Sequence, residues 1–151
     1  RVIISTNIIG GVRRDISDAR LQQIVRDLDI IEKELKPLFD TMMDGYSIKK
    51  RTVGIGILTK EQAYELGAAG PMLRGSGWAQ DMRQLKYEAF TELDFEPVVE
   101  HEGDCYARNK VPFREVFQAI DLVRQAIAKM PIGHLPVKVK GKPEGELPFR
   151  V

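Results

Sequence analysis

One cysteine, Cys105, and two histidines, His101 and His134, are all the chain offers of the side chains that most often bind transition metals or form nucleophile–base pairs. A single cysteine excludes an internal disulfide and the stapled framework of small secreted domains, and it implies a reducing compartment. A closed tetrahedral metal site needs four ligands, typically paired cysteines or histidines, and one thiol with two separated imidazoles cannot supply them. Charge of one sign is also lacking: 23 Lys and Arg against 22 Asp and Glu leave a net charge of +1. No global field therefore draws the chain to nucleic acid or an anionic membrane. No apolar run approaches the length that spans a bilayer, and no secretory leader is visible. Neither nucleic-acid binding nor direct membrane insertion is expected. The chain opens on Arg1 and closes on "ELPFRV". Both ends read as cut, so residues 1–151 are taken as a single segment of a larger subunit.

What is present is mostly helical pattern. Between Asp18 and about residue 43, Leu21, Ile24, Leu28, Ile31, Leu35, Leu38 and Met42 recur at three- and four-residue steps, which places them on one helical stripe close to a heptad seam. Ser17 or Asp15 suits the start, Gly45 the end, and Pro37 should bend the last turns. A second long helix is expected from about 111 to 130, with Phe113, Val116, Phe117, Ile120, Val123, Ile127 and Met130 as its stripe. Two one-sided helices can pack as an antiparallel pair, but the pair makes a thin core. Between them, "SIKKRTVGIGIL" reads as a connector and a short buried run. Thr59 and Gln62 form a capping-box signature for a short helix that Gly67 ends. Residues 67–110 read as an irregular, Gly- and Arg-rich segment. "RVIISTNII" at the start and the Val/Lys alternation of the tail at 134–151 read as short extended or β segments. The fold class expected is mainly α.

Three stretches invite a site. Cys105 in "EHEGDCYARNK" reads as a small, mostly buried residue: His101 lies four residues away, but Gly103 between them argues against a helix that would bring them together. "VGIGIL" lacks the GxGxxG of a phosphate cradle. It faintly resembles a helix-hairpin-helix turn, which leaves a DNA-backbone-binding module as a remote alternative; close-packing glycines are the simpler reading. The stretch from Arg74 to Arg83 carries Arg74, Asp81 and Arg83 among glycines and Trp78, with Met82, Tyr87 and Phe90 close by. Arginine forks suit buried or interfacial carboxylates, and the large apolar residues want cover. An ordered ionic network or an interface is expected there.

Six motifs in order carry a family resemblance: "IGGVRRD" at Ile9–Asp15, "RTVGIG" at Arg51–Gly56, "RGSG" at Arg74–Gly77, Asp81 with Arg83, "ELDF" at Glu92–Phe95, and "GDCYAR" at Gly103–Arg108. Together they resemble the hydrogenase-like large subunit shared by respiratory complex I and the membrane-bound nickel–iron hydrogenases. "GGVRRD", "LKYEAF", "FEPVV" and "GDCYAR" look more like the energy-converting, Ech-type or CO-induced hydrogenases, with the complex I subunit of NADH–quinone oxidoreductase as the alternative. The resemblance implies a helical-bundle core of the hydrogenase large-subunit type. It implies an iron–sulfur small subunit and membrane subunits as partners, and a peripheral place on the cytoplasmic side of a membrane. The nickel–iron centre of the hydrogenases is held by two CxxC pairs, which this chain lacks. The resemblance therefore implies a central scaffold segment with no catalytic, cofactor or metal residues of its own. Any nickel–iron centre would belong to the full-length parent. Arg74, Asp81, Arg83, Asp104 and Arg108 are the candidates for contacting another subunit or bracing the loop that does so.

Overall fold

The computed structural model describes residues 7–8, 11–131 and 141. The extended segments expected before Asn7 and at 134–151, and His134 with them, lie outside the described residues except for Gly141. A two-residue antiparallel ribbon pairs β1 (Asn7–Ile8) with β2 (Gly11–Val12). Five helices follow: α1 (Asp18–Asp44), α2 (Tyr46–Thr52), α3 (Lys60–Glu65), α4 (Pro71–Arg74) and α5 (Cys105–Lys129). Two single 3-10 turns, Met82–Leu85 and Glu88–Thr91, interrupt the long connection between α4 and α5. The chain is mainly α, as its periodicity predicts.

The two long helices pack against each other in opposite directions. Arg124, late in α5, pairs with Asp29 and Glu32 near the middle of α1 at 2.6 and 2.7 Å. Tyr106, at the start of α5, donates its hydroxyl to the Met43 carbonyl near the end of α1. Between these ends Phe39 sits against Phe113 and Phe117, with ring centroids 4.8 and 6.1 Å apart. Covering such a ring contributes about 1.5–3 kcal/mol. The core is thin. Met43, Ala63, Leu73, Val98, Ala107, Val111, Ile120 and Leu122 are its buried apolar residues among those described. Much of both expected stripes is exposed: Ile31, Leu38 and Met42 on α1, Val116 and Val123 on α5, and Met130 just after it. Two antiparallel helices can cover only one flank of each stripe, because a stripe of i, i+3, i+4 residues is wider than one helix contact.

Three expected boundaries move. The "connector" at 46–52 is helix α2, too short to show a period. Helix α5 begins at Cys105 and takes six residues from the segment expected to be irregular. The run "VGIGIL" is not buried: Val53, Ile55 and Ile57 are exposed. The helix α3 signals hold. The Thr59 hydroxyl accepts from the Gln62 amide while the Gln62 side chain accepts from the Thr59 amide. Gly67, at φ +63°, lets Gly67 N and Ala68 N donate to Tyr64 O and Ala63 O, a Schellman stop. Replacing Thr59 with alanine should cost about 1 kcal/mol. Because α3 is short and exposed, the loss should appear as faster hydrogen exchange at the Gln62 and Ala63 amides, with the global urea midpoint nearly unmoved.

Candidate functional site

Two polar clusters hold the middle of the chain together, and both are built from the residues singled out in the sequence. The first is a clamp at the start of α5. Asp104 caps the helix: its Oδ1 accepts from the Ala107 amide at 2.7 Å. Its Oδ2 reaches across to accept from the Gly54 amide at 2.7 Å. Arg108, one turn into the helix, donates to the Gly103 carbonyl at 2.6 Å and to the Gly56 carbonyl at 2.7 Å. The Cys105 amide donates to Ile55 O and the Leu58 amide to Gly103 O. Ser76 Oγ completes the clamp by donating to Leu58 O at 2.8 Å. The backbone of residues 54–58 is thus tied at five points to the α5 start and to the "RGSG" turn. Asp104 is buried, so leaving its carboxylate unpartnered would be costly; the Gly54 and Ala107 amides prevent that.

Cys105 is part of this clamp and is half-buried, less covered than a packing residue would be. The reason is its place at the first helical position, beside the loop and not beneath it. Arg108 Nη2 approaches its sulfur to 3.2 Å. Among the described residues no group of three or more His, Cys, Asp and Glu side chains is placed to hold a metal ion.

The second cluster is ionic. Arg74, on α4, lies 3.1 Å from Asp81 and 2.6 Å from Glu115 of α5. Arg83 lies 2.7 Å from Asp81 and 3.5 Å from Glu115. Two guanidinium groups and two carboxylates alternate, so the cluster is charge-balanced. The Arg74 and Asp81 side chains are each only 8% exposed. Arg83 also lies 4.4 Å from the centre of the Phe95 ring, a cation–π contact. The Arg83 side chain donates to Asp81 and holds its carboxyl below the usual range. The Arg83 backbone amide and the charges of both arginines add to this, and together they outweigh the opposing effect of burial. Asp81 also caps the 3-10 turn that follows it, through the Arg83 amide and the Gln84 side chain.

A third group ties the approach to α5. Glu100 accepts from Lys110 and Arg114, both at 2.6 Å. Burial works against its ionisation, but the two hydrogen-bonded cations prevail and its pKa falls. The backbone links the three groups: Glu100 N donates to Arg74 O and Gly103 N to Gly75 O.

Arg74, Asp81 and Arg83 therefore converge in one cluster, and Asp104 and Arg108 in another. Sequence reasoning missed Glu115, the distant partner of Arg74 and Arg83, and it missed Glu100 with its own partners Lys110 and Arg114. The cover expected for the apolar residues near Arg83 is partial. Trp78 and Phe90 are half-buried, while Met82 and Tyr87 are exposed. A 3-10 turn leaves a four-residue element too little surface to tuck both away.

These clusters fall within a match to a known family. The profile described as "Respiratory-chain NADH dehydrogenase, 49 Kd subunit" matches residues 1–146. The chain belongs to this family. A subunit of the NADH-quinone oxidoreductase of Orientia tsutsugamushi (strain Boryong) is 37% identical over 127 residues, 83% of this chain and 32% of that protein. A subunit of the same enzyme from Phocaeicola vulgatus is 33% identical over 141 residues, 93% of this chain and 27% of that protein. Among solved structures, a chain of the membrane-bound sulfane sulfur reductase, an archaeal respiratory membrane complex, superposes with a TM-score of 0.78 at 37% identity. That superposition covers 88% of this chain and 36% of the other. The chain spans about a third of the length of these relatives. The mainly helical fold agrees with the family match. No helix among the described residues is long and apolar enough to cross a membrane.

Proposed function

We propose that the chain is the central scaffold of the large subunit of a membrane-bound NADH–quinone oxidoreductase. The family match along residues 1–146, with relatives named as subunits of that enzyme, is the observation that carries this reading. It favours the complex I alternative over the Ech-type hydrogenase that the motif wording suggested. In this reading the segment does no chemistry itself. It fixes the "RTVGIG", "RGSG" and "GDCYAR" turns relative to α5, and so shapes a surface against an iron–sulfur subunit. The large subunit sits peripherally on the cytoplasmic side of the membrane, held there by membrane subunits.

The donor set here does not fit a nickel–iron centre. Such a centre in the hydrogenases takes four thiolates, and the one thiol present lies against the Arg108 guanidinium. We therefore place no step of any reaction on a metal in this segment. The test is to isolate the whole complex from its native membrane and compare three activities: NADH-driven quinone reduction, hydrogen production from a reduced ferredoxin-type donor, and sulfane sulfur reduction. NADH-driven quinone reduction is the expected result. Hydrogen production would return the reading to the hydrogenase branch, and sulfane sulfur reduction would move it to the solved archaeal relative.

A further inference from the structure

The clamp spends buried polar groups to hold a loop whose apolar side chains face outward. Val53, Ile55 and Ile57 alternate along it and are 51, 52 and 60% exposed. Their backbone neighbours are tied inward by Asp104, Arg108, the Cys105 amide and the Gly103 carbonyl. Gly54 and Gly56, at φ +68° and +61°, give the loop its turns. The usual arrangement is inverted: polar atoms hold the inside, and β-branched side chains stand on the outside. Isolated exposed apolar residues need no explanation, but three at alternate positions on a backbone tied at five points form a ridge. The flanks of the ridge are basic. Lys50 and Arg51 precede it at the end of α2, Lys60 follows it, and none of the three is in an ion pair among the described residues. Glu61 on α3 is the nearest opposing charge in the sequence.

We infer that Val53, Ile55 and Ile57 form a preorganised docking ridge for another protein of the same complex, one presenting an apolar pocket rimmed by carboxylates. Charge complementarity selects the acidic rim, since Lys50, Arg51 and Lys60 flank the ridge with positive charge that no carboxylate among the described residues neutralises. Rigidity selects a protein pocket over a lipid surface. A fixed backbone lowers the ordering cost of fitting a shaped pocket, whereas lipid chains gain nothing from a fixed shape. Membrane-surface binding also calls for a broad amphipathic helix, and three side chains on a loop do not make one. The inference rests on the reading above only in taking the chain as part of a larger complex.

The experiment uses the whole subunit, tagged in its own host, with Ile55→Ser and Ile57→Ser combined in one variant and Lys50→Glu with Arg51→Glu in another. Both variants alter side chains that face solvent at least in part, so the soluble protein should be recovered at wild-type yield and melting temperature. The apolar variant should retain at least about tenfold less of its partner on co-purification, as central anchor residues do. The charge variant should weaken retention most at low salt and least at high salt, as screened charges do. Normal retention by both variants would overturn the inference. Loss of the soluble protein itself would also overturn it, because the ridge would then be covered by the subunit's own chain. Flotation of the wild-type protein with anionic vesicles, abolished by the apolar variant while the partner is retained, would assign the ridge to lipid instead. NADH-driven quinone reduction that survives with normal assembly would sink the ridge and leave the proposed function standing. Another activity, in a complex that still assembles through the ridge, would do the reverse.

Discussion

Gly103→Ala is expected to destabilise the chain by about 3–5 kcal/mol, the loss of a large fraction of the stability of a domain this size. Two physical effects add. Gly103 sits at φ +64°, where an L side chain costs about 1–2 kcal/mol. A Cβ there would also lie 2.3 Å from the carbonyl oxygen of Leu58. The obstructing atom is backbone, so no side chain can swing away. Either residue 58 must retreat or Gly103 must, and both bond through that contact: Leu58 N donates to Gly103 O, and Ser76 Oγ donates to Leu58 O. Gly54→Ala is the matched control. Its φ is +68°, but nothing lies within 4 Å of its added Cβ, so only the conformational cost of about 1–2 kcal/mol should appear. Urea unfolding of both variants separates the two effects. Equal midpoints would show that the loop gives way freely at residue 58 and that the clamp is weak.

Residues with a local rhythm announced themselves, and residues whose partners are distant did not. Helix α1 was legible because its apolar residues repeat along its length, and the observed Asp18–Asp44 differs from the expectation by one residue. The start of α5 was hidden. Gly103 reads locally as a break, yet it lies two residues before the first helical position, and Pro112, next to the expected start at 111, lies inside the helix. The signal that could have found it is Asp104, an N-cap residue type just before "CYARNKV". The exposure of "VGIGIL" was illegible for a different reason. Its apolar composition says "buried", and hydrogen bonds with Asp104, Arg108, Cys105 and Gly103, about fifty residues away, turn its backbone inward. Glu115 and Glu100 carry no local mark either. A carboxylate on a long helix, or just before one, reads as a solvated charge until the fold sets a cation beside it. Of the candidate site, then, Arg74, Asp81, Arg83, Asp104 and Arg108 could be picked by type and context, but their partners could not.

Asp81→Ala is expected to cost about 3–5 kcal/mol, because it leaves one buried and one half-buried guanidinium group sharing one carboxylate. In the native cluster Asp81 faces Arg74 at 3.1 Å and Arg83 at 2.7 Å, and Glu115 balances the second positive charge. Removing Asp81 leaves a net positive charge around an arginine whose side chain is 8% exposed. Removing Arg83 as well restores balance, since Arg74 keeps Glu115 at 2.6 Å. The double variant should therefore be no less stable than Asp81→Ala alone, with a coupling of at least about 1.5 kcal/mol. Strict additivity would mean that the four groups are independent, solvated charges. Acid provides the second test. The folded pKa of Asp81 lies below its unfolded value, chiefly through the Arg83 hydrogen bonds. Its contribution is then complete above the unfolded value, about 3.9, and disappears as pH falls through the folded value. Asp81→Asn has no proton to take up, so the stability difference between wild type and this variant should shrink as pH is lowered below about 4. A difference that stays constant across that window would show that Asp81 titrates as freely in the folded chain as in the unfolded one, and the cluster would not be a brace.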